Sequence, residues 1–231
     1  MGLNRMLCAL LLALLLSPGL AADGLRQGET ATYAVHQGDQ YLGDGGYAVT
    51  AADENGTVIS GDITLSTPSG DVRMESVTRL AADGSVAAYR LLATLPNGST
   101  QELEVEFEPG LARALILIGG SQREQTVELP DEWVLLDNNS PAHLALLASR
   151  LSPDMEPADG QVFVPQQLTL VGYTLEYAGE AGYEIGGNEI PCRLYRMTLL
   201  GTIDVELYVH DGRLVAMEQP GQSVKFVLVH R

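Results

Sequence analysis

The sequence predicts a mainly β protein of the α+β class, with an antiparallel meander sheet curled into a half-barrel or clamp and one central amphipathic helix. Three observations predict this fold. Apolar and polar residues alternate with period two on both sides of the chain centre. Asn-Gly and Asp-Gly pairs separate many of these alternating segments. Only one stretch, near the middle, spaces its apolar residues as a helix does.

Hairpin turns punctuate the first half of the chain. The turn pairs are Asn55-Gly56, Asp83-Gly84 and Asn97-Gly98, and such pairs tolerate the positive φ angles of type I′ turns. From Gln101 to Glu108, apolar residues alternate with four glutamates. That pattern predicts a strand with one face in the core and the other in water.

The helical stretch lies within residues 127–153, which also hold the sole tryptophan, Trp133. Ser140 followed by Pro141 is typical of an N-cap with proline at the first helical position. Leucines recur at helical spacing as far as Leu151. A helix of about twelve residues is marginal alone, so we expect its leucine stripe to dock on the sheet.

The start of the chain predicts export. Residues 1–22 have the pattern of a secretory signal peptide, in which Arg5 precedes an apolar run and Ser17-Pro18 ends it. The run is shorter than the roughly 20 residues needed to span a bilayer, and we expect no transmembrane segment in the mature chain. The expected location is periplasmic or extracellular.

We expect the mature chain, residues 23–231, to form a single β-rich domain. Its two β halves, about residues 30–129 and 161–231, are joined by the helical segment 127–153.

The charge excludes one class of partner. The chain carries 30 acidic and 13 basic residues, a net charge of −17 at pH 7. Such a field repels phosphate backbones, so we do not expect nucleic-acid binding.

Motifs for cofactor or metal chemistry are missing from the sequence. The histidines are scattered singly, without the spacing of zinc ligands, and no Gly-rich phosphate loop follows a strand. We therefore expect neither a metal nor a cofactor. Cys192 alternates in phase with Leu194 and is interpreted as a small buried hydrophobe.

One polar row keeps a catalytic alternative open. Asp204, Glu206 and His210 share a strand face with Tyr208. Such a row is usually a solvated sheet face, but it becomes a polar wall if the sheet curls around a cavity. The alternative function is therefore an exported hydrolase that uses this row.

The leading hypothesis is a non-catalytic binding or scaffolding protein. One-sided alternation on many strands, with a single helix to cover them, predicts a concave apolar face for an apolar small molecule, a lipid or an envelope protein. The candidate ligand-binding residues are Trp133, His143, Leu147, Tyr173 and Tyr208.

A third alternative, an outer-membrane barrel, is disfavoured. Its strands would need aromatic girdles, and rows such as the one from Glu102 to Glu108 would face lipid or overfill the lumen.

Three short segments carry a resemblance to a known group of proteins. They are LLDNNSPAHLALLASRL at residues 135–151, VFVPQ at 162–166 and HDGRLVAMEQP at 210–220. Together they resemble a loosely defined group of exported bacterial β proteins without assigned function. The resemblance implies an antiparallel sheet curled into an open half-barrel or clamp, with a helix after an Asp-Asn-Asn turn. More distantly, the implied architecture resembles the half-barrels that carry lipids or lipoproteins across the periplasm.

Overall fold

The fold is described from a computed structural model over residues 25–137 and 140–230. The predicted signal peptide, residues 1–22, lies outside these ranges, as do Asn138 and Asn139 of the predicted turn. Within the ranges, the chain forms fifteen strands and one α-helix, α1, at Pro141–Ala148. The strands are β1 (Thr30–Gln37), β2 (Gln40–Asp53), β3 (Gly56–Thr67), β4 (Gly70–Leu80), β5 (Val86–Thr94), β6 (Thr100–Glu108), β7 (Leu111–Ile118), β8 (Ser121–Glu128), β9 (Val134–Leu135), β10 (Ala158–Val164), β11 (Thr169–Ile185), β12 (Asn188–Leu199), β13 (Ile203–His210), β14 (Arg213–Gln219) and β15 (Val224–His230).

All fifteen described strands join one sheet. Its order is β8-β7-β6-β5-β4-β3-β2-β1-β15-β14-β13-β12-β11-β10-β9. Strands that pair are consecutive in sequence, except that β1 pairs antiparallel with β15, placing Val35 opposite Phe226. The first and last strands meet in the middle of the sheet, and β8 and β9 are its two edges. The predicted mainly β, antiparallel meander is confirmed.

The sheet must curl, because a short link joins its two edges. Only residues 129–133 lie between β8 and β9. In a flat sheet, strands spaced by about 4.8 Å would separate these edges by roughly 65 Å. The link can span only about 20 Å when fully extended. The chain thus bends the sheet almost into a ring without a hydrogen-bonded ladder between β8 and β9.

The edges of the curled sheet overlap like those of a scroll. On β10, Val162 and Val164 belong to a main core cluster, which is formed by buried side chains of β1–β4, α1 and β10–β15. Phe163 between them belongs to a second cluster, formed mainly with the inner faces of β5–β7. Because neighbouring residues on a strand point to opposite faces, β10 is covered on both sides. We call the outer layer, β5–β8, the flap.

Helix α1 lies inside the scroll and connects β9 to β10, the parallel pair among the described strands. A parallel pair requires such a crossover. The predicted central helix is confirmed, but its amphipathic character is wrong: all eight of its residues are buried, because the sheet surrounds it. It also ends before Leu151. No helix among the described residues is long and apolar enough to cross a membrane.

The helix fills only one end of the interior. We call the end of the scroll that carries the β1–β2, β3–β4, β5–β6 and β7–β8 turns the upper end. Helix α1 starts near Gly61, in the middle of β3, where Ala142 packs. It runs toward the lower end, where the Arg150 guanidinium donates a hydrogen bond of 2.8 Å to the Gly84 carbonyl in the β4–β5 turn. Leu151 and Met155 then pack against the main cluster.

Candidate functional site

The upper end of the interior is lined by half-buried apolar side chains. They come from strands of both β halves, lie near the upper turns and pack against the main core cluster. They are Leu65, Met74, Val171, Tyr173, Leu199, Ile203 and Val224. We call this lining the apolar mouth. Each of these side chains is only partly covered.

Three exposed apolar residues also lie near the upper turns. Tyr41 is 53% exposed, Ile118 50% and Leu200 62%. All three lie in or beside upper turns, namely β1–β2, β7–β8 and β12–β13. Single exposed apolar residues are ordinary on protein surfaces, and Tyr41 packs on His36 on the outer face, so the candidate binding surface is the half-buried lining itself.

A small cavity of about 10 Å³ lies at the base of the mouth, beside the start of α1. That volume holds about one water molecule. Its apolar walls include Ile63, Met74 and Leu91, and its polar walls include Asp137 and Ser140. Met74 also lines the mouth, so the cavity and the mouth share a wall.

Asp137 is the acceptor at the centre of a buried polar cluster. The Tyr89 hydroxyl and the Gln166 side-chain amide both donate hydrogen bonds to its carboxylate. Burial, and then the nearby Asp137 carboxylate, raise the pKa of Tyr89 well above its ordinary value. Tyr89 therefore stays protonated and donates at every physiological pH.

His143 braces the turn that precedes α1. Its Nδ1 accepts a hydrogen bond of 2.9 Å from the Asp137 backbone N–H. The proton therefore lies on Nε2, which is 2.8 Å from the Thr78 hydroxyl and donates to it. Burial lowers the pKa of His143 to about 4, although Asp137 acts in the opposite direction. The imidazole is thus a neutral, buried link between α1, the turn and β4.

Ser140 occupies the N-cap position without a side-chain cap. Its backbone is extended, with φ −102° and ψ 106°, and Pro141 begins the helix as predicted. The Ser140 carbonyl accepts the Leu144 N–H at 3.3 Å. The predicted capping role is wrong for the side chain, because the buried Oγ has no hydrogen-bond partner among the described residues. Instead, Ser140 lines the cavity.

The remaining ligand-binding candidates are dispersed. Trp133 is half-buried at the scroll overlap, with its ring centroid 4.8 Å from that of Phe107. Leu147 is buried in the main cluster. Tyr173 lies at the mouth and covers Gly160, where a Cβ would stand 3.0 Å from the tyrosine ring. The structure therefore brings Tyr173 to the mouth and His143 beneath it.

The polar row lies on the outer face of β13. Asp204 accepts a hydrogen bond of 2.8 Å from Thr198, and Glu206 lies 3.2 Å from the Arg196 Nε. His210 Nδ1 lies 2.6 Å from the Pro191 carbonyl. Each partner belongs to the neighbouring β12. These are the contacts of a hydrogen-bonded sheet surface that faces away from the mouth.

Tyr208, the last candidate, lies on the same outer face. Its ring centroid is 4.7 Å from that of Tyr183. The Tyr183 hydroxyl donates a hydrogen bond of 2.8 Å to the Glu218 carboxylate. Partial burial, and then Glu206, raise the pKa of Tyr208 to about 12. The β11–β12 hairpin reaches this position because it bends at a bulge near Gly179 and folds over β13 and β14.

Sequence reasoning missed most of the buried polar cluster. Tyr89, Thr78 and Gln166 are 48, 65 and 29 residues from their partners in the chain. No local pattern signals contacts over such separations. The one usable signal was His143, which packing and capping did not explain.

Comparisons with known proteins do not show a family for this chain. No family model and no curated protein matches it. Among solved structures, a DUF1089 family protein from Pseudomonas aeruginosa has a TM-score of 0.47 and 13% identity, covering 86% of this chain and 94% of that one. A protein from Parabacteroides distasonis described as a "putative lipoprotein" has a TM-score of 0.31 and 9% identity, covering 88% and 94%. The hypothetical lipoprotein YmcC from Escherichia coli has a TM-score of 0.29 and 11% identity, covering 92% and 88%. Similarity at this level supports no inference about function.

Proposed function

We propose that this is an exported, non-catalytic binding protein that holds a small neutral amphiphile, with one alkyl chain, in the apolar mouth. The observation that carries the proposal is the mouth itself: half-buried apolar side chains from both β halves point inward at the end that α1 leaves open. An anionic head group is disfavoured because the net charge of −17 repels it.

Alkyl alcohols of increasing length test the proposal. Burying a CH₂ group contributes about 0.8 kcal/mol when the burial is complete. For a partly open mouth, affinity should rise roughly two- to fourfold per CH₂ from 1-butanol to 1-hexanol to 1-octanol, measured by isothermal titration calorimetry. An affinity that does not change with chain length would count against the mouth.

A matched pair of variants locates the ligand. Leu199→Gln places an amide in the mouth and should weaken 1-octanol binding about tenfold or more, because the alkyl chain loses an apolar wall. Leu115→Gln makes the same change on the outer face of the flap, where Leu115 is half-buried opposite Glu104. It should leave the affinity unchanged. Equal effects of the two variants would exclude the mouth as the binding site.

Export belongs to the same proposal. We propose that residues 1–22 direct the chain across a membrane and are then removed. N-terminal sequencing of protein recovered from the periplasm or medium should begin at residue 22 or 23. A protein that keeps its first residues and stays in the cytoplasm would contradict export.

A further inference from the structure

The base of the apolar mouth contains a polar group without a partner. Ser140 is only 5% exposed, and its Oγ accepts and donates no hydrogen bond among the described residues. Leaving a buried hydroxyl unpaired is unfavourable, and nearly all buried polar groups in native proteins are paired. Because Ser140 lines the cavity of about 10 Å³, the hydroxyl has room for one further partner.

The surroundings select the charge of that partner. The cavity lies at the start of α1, where the backbone N–H groups favour an acceptor. Asp137, on the same wall, presents a carboxylate that disfavours an anion. A serine hydroxyl both donates and accepts, whereas a carboxylate only accepts. A neutral O–H group satisfies both neighbours, because it can accept from Ser140 and offer its own proton to a carboxylate or hydroxyl oxygen.

The size of the cavity selects a single hydroxyl. A cavity of about 10 Å³ has room for one oxygen atom beside Ser140. Beside Ser140 and Asp137, the cavity is lined by the polar Asp62 and Ser76 and by the apolar Ile63, Met74 and Leu91. Met74 also borders the mouth. To reach the mouth, an alkyl chain attached to the bound oxygen would have to pass the Met74 side chain.

We propose that Ser140 anchors the hydroxyl end of the amphiphile held in the mouth, so that the ligand is an alcohol with its O–H at the cavity and its alkyl chain toward the upper rim. The inference rests on the proposed function and adds the chemistry of the ligand's polar end. A water molecule can make the same hydrogen bonds, so the experiment must distinguish a bound alcohol from a bound water.

Two isomeric probes test the anchor. 1-Hexanol and methyl pentyl ether contain the same atoms, but only the alcohol can both donate and accept. The protein should bind 1-hexanol about five- to tenfold more tightly than the ether by isothermal titration calorimetry, the range expected for one extra hydrogen bond. Ser140→Ala should abolish this preference and leave ether binding unchanged. Ser60→Ala, which removes a hydroxyl bonded to Ala48 on the outer face, should keep the preference.

A second variant and a crystal soak complete the test. Ser140→Gly should also lose the preference, and glycine is well tolerated at an N-cap if alanine impairs folding. Crystals soaked in 1-hexanol should show its oxygen within 3.2 Å of Ser140 Oγ, a usual hydrogen-bond distance. A water in that place, with the alcohol elsewhere, would overturn the anchor. Equal binding of the two probes would overturn the anchor and leave the mouth standing. Binding of neither probe would overturn the proposed function as well.

Discussion

At the scale of single residues, His143 gives folding a dependence on pH. Its pKa is about 4 in the folded protein and about 6.5 in the ordinary, solvated state. Between these values the unfolded chain binds a proton that the folded chain excludes. The imidazole's contribution to stability is therefore complete above pH 6.5 and is lost as the pH falls toward 4.

Between pH 7.5 and 4, we expect the unfolding free energy of the wild type to fall by about 3 kcal/mol more than that of His143→Gln. The reason is that glutamine does not titrate. Urea unfolding at half-unit steps from pH 7.5 to 4 measures the difference. His36→Gln, which changes a histidine outside the core clusters, should keep the wild-type slope. A wild-type slope in His143→Gln would show that other groups cause the dependence.

The Tyr89 hydroxyl stabilises the fold through its hydrogen bond to Asp137. Tyr89→Phe removes a buried donor to the Asp137 carboxylate and should lower the unfolding free energy by about 1–3 kcal/mol, because the acceptor stays buried. The matched control is Tyr177→Phe, which removes a hydroxyl bonded to Glu180 in an exposed setting. It should change stability by less than about 0.5 kcal/mol. Similar losses in both variants would argue against a special role for Asp137.

The roles of Ser140 and His143 show what residue patterns could and could not predict. The pair Ser140-Pro141 correctly placed the start of the helix. The same pattern did not indicate where the serine hydroxyl points, because that depends on Ser76, Gly61 and the other cavity walls contributed by distant strands.

At the scale of elements, the contact between α1 and β3 depends on a glycine. A Cβ at Gly61 would lie 2.8 Å from Ser76 Oγ and 3.1 Å from the Ala142 Cβ. Gly61→Ala should therefore push α1 away from the sheet and cost about 1–3 kcal/mol, the usual range for overpacking. Thermal or urea unfolding measures the cost.

A control variant and a double variant test whether crowding against α1 causes the loss of stability in Gly61→Ala. Gly172→Ala adds the same methyl group on β11, where nothing lies within 4 Å of the new Cβ, and should be neutral or slightly stabilising. In the double variant Gly61→Ala with Ala142→Gly, part of the lost stability should return. A full loss in the double variant would mean that Ala142 is not the obstacle.

The helix also shows why the amphipathic prediction failed. The leucine spacing predicted an apolar stripe on one side of the helix, which would dock on the sheet. In the structure the alanines meet strands closely, and His143 has polar partners inside the core. A helix inside a curled sheet has no solvent face, and single-sequence periodicity does not distinguish small residues chosen for close packing from small residues facing water.

At the scale of the whole molecule, the β1–β15 pairing brings the first and last strands together, with Thr32 opposite His230. A circular permutant that joins the end of β15 to the start of β1 and has its new termini at Gly119-Gly120 should fold cooperatively. Its unfolding free energy should be lower by less than about 2 kcal/mol. That turn is exposed and has nothing within 4 Å of either glycine's Cβ position.

The control permutant opens between Leu129 and Pro130. It cuts the link that ties the two sheet edges together, and Leu129 is buried and donates a 3.0 Å hydrogen bond to Gly110. We expect it to be clearly less stable by urea unfolding. Equal stability of the two permutants would show that the link does not hold the scroll closed.

The sequence predicted the meander and the curl but not the overlap. Alternation and turn pairs define strands and their order, because each hairpin is local. The overlap arises where Phe163 meets Phe107 across a gap of 56 positions in the chain, with ring centroids 5.6 Å apart. The run VFV, apolar at every position, was the available signal for a strand covered on both faces.

The overlap between the flap and β10 is held by side chains and has no backbone ladder between β8 and β9. Separating the flap from β10 would expose the second core cluster and break the Tyr89–Asp137 hydrogen bond, without requiring any described strand ladder to break. Because Trp133 packs on Phe107 and Phe163 at the overlap, such a motion would alter tryptophan emission. Opening along this overlap would therefore be a local unfolding step that exposes one of the two core clusters.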